Sequence, residues 1–95
     1  MSTRNSITLP TIHRNGTGAD SLEREYRAVR LAIASATGAL ERATCNPQDF
    51  YPQGPYAHGN AMAEREGAFR LLAMVSAYAE AWEDHARQAG GEVQP

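Results

Sequence analysis

The 95-residue sequence predicts an all-α fold: a long antiparallel helical hairpin with an extended N-terminal arm, assembling into an oligomeric helical bundle. Three observations predict it. Apolar residues recur at helical spacing over residues 19–44 and again over 61–89. The stretch between them carries three prolines and two glycines, the composition of a connector. The apolar content is also thin. Of the 42 % hydrophobic residues, 17 are Ala, leaving 22 large apolar side chains for a core, and a chain this short already buries a small fraction of its surface.

Residues 1–18 form a polar arm carrying Arg4 and Arg14, with Ile7, Leu9 and Ile12 as a short apolar edge. Pro10 argues against a central strand, so the arm is expected to be extended and packed on something. Residues 19–90 make the hairpin domain and 91–95 a frayed tail.

In the first helix Leu22, Tyr26, Val29, Ile33, Ala36, Leu40 and Ala43 alternate steps of four and three, a heptad seam. Thr17 or Asp20 is expected to cap its start. The pairs Asp20–Arg24 and Glu23–Arg27 support its outer face. Gly38 marks a close crossing or a kink. Residues 45–60 hold Phe50, Tyr51 and Tyr56, three of the seven aromatics, and Pro55 could open the second helix. The second helix carries two adjacent stripes, one of Met62, Phe69, Leu72, Val75, Ala79, Trp82 and Ala86, the other of Leu71, Met74 and Tyr78. Glu66–Arg70 and Glu83–Arg87 are its expected ion pairs, and Gly90-Gly91 its expected stop. The combined apolar arc is wider than one partner helix needs, which predicts a homo-oligomer, most simply a dimer forming a four-helix bundle.

Composition excludes several classes. No stretch approaches 18 apolar residues, so no transmembrane helix is expected. Residues 1–12 lack a signal-peptide pattern. One Cys excludes a disulfide framework. Nine Arg without Lys against eleven acids leave a net charge of −2, unsuited to generic nucleic-acid binding. His13, His58, His85 and Cys45 lack ligand spacing, so no metal or other cofactor is expected. No nucleophile–base pair or acid–base couple appears, so the chain reads as non-enzymatic.

Two segments carry candidate binding chemistry. Thr11-Ile12-His13-Arg14-Asn15-Gly16-Thr17-Gly18 places a glycine-containing turn before a helix N-terminus. Free backbone N–H groups there attract an anion, and His13, Arg14, Asn15 and Thr17 add donors. The plain alternative is a well-made cap behind an Asn-Gly turn. In the connector, Phe50, Tyr51 and Tyr56 offer stacking surfaces for a ring, with Asn60 and Arg65 adding polar contacts. The plain alternative there is a plug for the open end of the bundle. Arg24, Arg27 and Arg30 read as a solvated, ion-paired face. An antiparallel hairpin sets the two segments about 40 Å apart, so only a second, antiparallel copy brings them together.

The strings Ile12-His13-Arg14-Asn15-Gly16-Thr17, Asn46-Pro47-Gln48-Asp49-Phe50-Tyr51-Pro52 and Ala61-Met62-Ala63-Glu64-Arg65 resemble those of small helical proteins encoded by phages and prophages. The resemblance spans residues 7–88. It implies a short non-enzymatic phage protein acting in the bacterial cytoplasm. Some such proteins are counter-defence sponges that oligomerise and sequester nucleotide immune signals, a likeness of type rather than of individual residues. The functional expectation is therefore a protein that sequesters a small phosphorylated, ring-containing signal. The alternative is a protein-interaction factor, either an inhibitor of a host defence complex or a small phage structural component.

Overall fold

The structure is a computed structural model that describes residues 7–93, with side chains through Gly90. It is all-helical over the described residues: α1 spans Ala19–Arg42, a short 3-10 helix spans Pro47–Gln53, and α2 spans Ala57–Val93. α1 and α2 pack antiparallel as the expected hairpin. Arg4 and the tail residues 94 and 95 lie outside the described residues.

Several boundaries differ from expectation. Neither Thr17 nor Asp20 caps α1; Gly18 stands at the cap with no side-chain hydrogen bond, and Asp20 falls inside the first turn. There it meets the positive end of the helix dipole without bonding the backbone. α1 ends at Arg42, and Gly38 is not a close crossing with α2, since a Cβ at that position would meet only Arg42 of the same helix. The connector is not structureless. Asn46 accepts from the Gln48 backbone N–H at 3.0 Å and starts the 3-10 helix. Gly54, at φ 104°, ends it in the left-handed region open to glycine. α2 begins at Ala57, four residues before the start expected at 61.

Gly90-Gly91 does not stop α2, which runs on to Val93. A Cβ at Gly90 would stand 3.4 Å from the Ala19 side chain. Gly90 is thus a point of close approach between the two helices, and a glycine costs an α-helix only about 1 kcal/mol.

The core is short and lies at one end. Leu22, Ala79, Ala81 and Ala86 are its buried apolar residues. At this end the arm adds a third layer. Leu9 lines a shallow hollow with Ala81, Asp84, His85 and Gln88, and His85 Nε2–H donates to the Pro10 carbonyl at 2.6 Å. Beside it Tyr26 stacks on Trp82 with centroids 4.6 Å apart, and Tyr78 meets both rings. Burial and the neighbouring Tyr78 raise the pKa of the Tyr26 hydroxyl. The Trp82 Nε1 donor is buried without a partner.

Elsewhere the seams are half-covered. Val29 and Ala36 of the first seam are exposed, as are Met62 and Val75 of the first α2 stripe. The whole second stripe is exposed: Leu71 at 63 %, Met74 at 59 % and Tyr78 at 42 %.

Candidate functional site

The two candidate segments form separate hollows at opposite ends of the hairpin. The first, about 600 Å³, lies between the turn that precedes α1, the first turn of α1 and the end of α2. Its turn is closed by the Gly16 N–H donating to the His13 carbonyl at 3.1 Å. The His13 ring lies against Gly16, where a Cβ would stand 3.0 Å from Nε2. His13 and Arg14 line this hollow as expected, with Ile12, Ala19 and three glycines as apolar walls and Asp20 and Ser21 at the helix start. Asn15 and Thr17 belong to the same turn but are exposed and do not line it. Gly18 has no side chain to cap α1, so among the described residues the first N–H groups of that helix carry no side-chain acceptor.

The second hollow, about 480 Å³, is lined by Pro47, Phe50, Tyr51, Gly54, Pro55 and His58. Phe50 leans on the His58 ring, centroids 5.8 Å apart, and His58 Nε2–H donates to the Cys45 carbonyl at 3.1 Å. Tyr51 and Tyr56 are 85 % and 79 % exposed, so they do not plug the bundle end. Tyr56 and the exposed Asn60 stand outside the hollow.

Arg65 is engaged within the fold. Its Nη2 donates to the Leu40 carbonyl at 2.6 Å and to the Glu41 carbonyl at 3.2 Å, and its guanidinium lies over the Phe69 ring. It closes the C-terminus of α1, where carbonyls lack helical partners and a cation is favoured.

The arginines of α1 are also placed differently. Arg27 and Arg30 are ion-paired as expected, but across the hairpin: both reach Glu83 of α2, which is 3 % exposed. Arg30 Nε donates to Glu83 Oε1 at 2.6 Å and Arg27 Nε to Oε2 at 3.0 Å. Glu83 therefore does not pair with Arg87, which bonds Asp84 instead. Of the expected helix-face pairs, Glu23–Arg27 forms at 2.8 Å.

Sequence reasoning missed Ile12, Gly90 and Asp20 in the first hollow and His58 in the second. Gly90 comes to the hollow through the hairpin register alone. His58 had a local signal, its place one turn into a helix that Pro55 could have opened. Among the described residues no group of three His, Cys, Asp or Glu is placed to hold a metal ion, and no helix is long and apolar enough to cross a membrane. No family model, curated protein or solved structure matches the chain.

Proposed function

We propose that this protein is a non-enzymatic binding module for a small phosphorylated, ring-containing ligand, of the type that sequesters nucleotide-derived signals. The observation that carries the reading is the hollow at the start of α1, where Arg14, His13 and the uncapped helix N–H groups share one cavity with apolar walls. Its volume falls within the range of small-molecule sites, roughly 300–1,000 Å³. Arg14 and the helix N-terminus favour a phosphate. Asp20 at the same rim suits hydroxyl groups such as those of a ribose, and Ile12 and Ala19 suit a ring face. Calorimetry against cyclic dinucleotides, cyclic trinucleotides and ADP-ribose isomers tests the reading. Binding of at least one class, weakened by Arg14→Ala, supports it, and no heat at saturating ligand overturns it.

A second reading, a protein-interaction factor, is favoured by the exposed apolar stripe Leu71, Met74 and Tyr78. In that reading the hairpin is a scaffold and the stripe its contact surface.

A further inference from the structure

We infer that a second copy of this chain docks antiparallel on the exposed seam of α2, on a two-fold axis near Met74. The inference is independent of the ligand reading.

Positions 63, 67, 71, 74, 78, 81, 85 and 88 of α2 advance by steps of four and three, so they share one face of the helix. The C-terminal part of this face is already an interface. Ala81 is buried there, His85 bonds the Pro10 carbonyl of the arm, and Leu9 of the arm shares a shallow hollow with Ala81, His85 and the exposed Gln88. The same face then continues uncovered through Tyr78, Met74 and Leu71.

Beyond Leu71 the face turns small, with Gly67, Ala63 and Gly59 one turn apart. Both glycines lie inside α2, where each costs roughly 1 kcal/mol against Ala. This chain does not explain them: a Cβ at Gly59 would meet nothing within 4 Å, and one at Gly67 only the tip of Arg70 at 4.0 Å. Small residues facing open space leave room for a close approach from outside.

The shape is self-complementary about Met74. Under a two-fold axis there, position i of one copy faces position 148 − i of the other. The raised positions 81 and 85, which carry the arm, then fall opposite the small positions 67 and 63. Leu71 and Tyr78 of each copy close over the centre.

The axis also lies near the middle of α2, so the helix ends coincide. Position 58, in the aromatic hollow, falls opposite position 90, in the wall of the turn hollow. The two candidate segments, separate in one copy, become neighbours in the pair.

Light scattering and spin-label distances on the full chain test this. The expected mass is twice that of the chain at micromolar concentration. Met74→Glu and Gly67→Leu should each weaken association at least tenfold with the helical circular dichroism retained, Gly67→Leu because its side chain occupies the space kept for the arm. Spin labels at Asn60→Cys in a Cys45→Ser background should lie about 40 Å apart in the antiparallel pair, 28 residues of helix rise. A monomer at 100 µM, which would leave the seam to a different protein, overturns the inference. So does a dimer indifferent to both substitutions, or a label distance under 20 Å, which would mean parallel packing.

Discussion

Glu83 of α2 receives Arg30 of α1 at 2.6 Å while only 3 % of the Glu83 side chain meets solvent. This contact, joined by Arg27 at 3.0 Å, clasps the two helices beside the Tyr26–Trp82 stack. It spans 53 residues of sequence.

The clasp makes stability depend on acid. The hydrogen bond from Arg30, then that from Arg27, holds the Glu83 carboxyl at about 2 against an ordinary value of 4.5, with burial opposing them. The unfolded chain therefore takes up this proton first as pH falls. The stabilisation is complete above about pH 4.5 and is lost as pH falls through 2. Its upper bound is about 3 kcal/mol, lowered by solvent around the partly exposed arginines. Urea denaturation at pH 7, 4 and 2.5 should show the loss. Glu83→Gln should lower stability at pH 7 by about 1–3 kcal/mol and flatten the acid dependence.

Arg65 caps α1 from the other helix. Arg65→Ala should destabilise the hairpin by about 1–2 kcal/mol, since two α1 carbonyls lose a charged donor. It should leave ligand affinity at the turn hollow unchanged. Thermal denaturation and calorimetry on the same variant separate the two effects, and a binding defect without a stability defect would return Arg65 to the ligand site.

Gly54 and Gly59 should respond in opposite directions to alanine. Gly54 sits at φ 104°, where a Cβ costs roughly 1–2 kcal/mol. Gly59 sits in helix with open space around it, so Gly59→Ala should leave the fold intact or stabilise it by up to about 1 kcal/mol. Chemical denaturation of each variant checks the pair.

Arg14 and Tyr51 distinguish a site within one chain from a site shared by two. Arg14→Ala should weaken an anionic ligand by at least about 1 kcal/mol in either case. Tyr51 lines the hollow at the far end, so Tyr51→Ala weakens the same ligand only if a second copy brings the hollows together. Calorimetry of both single variants and of the double variant reads this directly, because coupling appears only between groups that share a ligand.

Among the described residues, the His85 side chain bonds the arm to α2. His85→Phe removes the donor to the Pro10 carbonyl and should raise amide hydrogen exchange over residues 7–12 while α1 and the far half of α2 keep their protection.

The local sequence determined the local structure of this protein. The alternating apolar steps made α1 and α2 legible, because helical periodicity is a property of neighbouring residues. The prolines marked the break between them, and the excess apolar arc on α2 foretold the exposed stripe. Of the candidate site, the turn with His13 and Arg14 was legible for the same reason. What the tertiary structure decided are the partners set by register between distant segments. Glu83 pairs with Arg27 and Arg30 instead of Arg87, Arg65 caps α1 from the other helix, and Gly90 lines the turn hollow while its helix runs on. The physical reason is that an ion pair one helical turn away and one across the hairpin look alike in composition. Burial of Glu83 between the helices, where water no longer competes, selects the second.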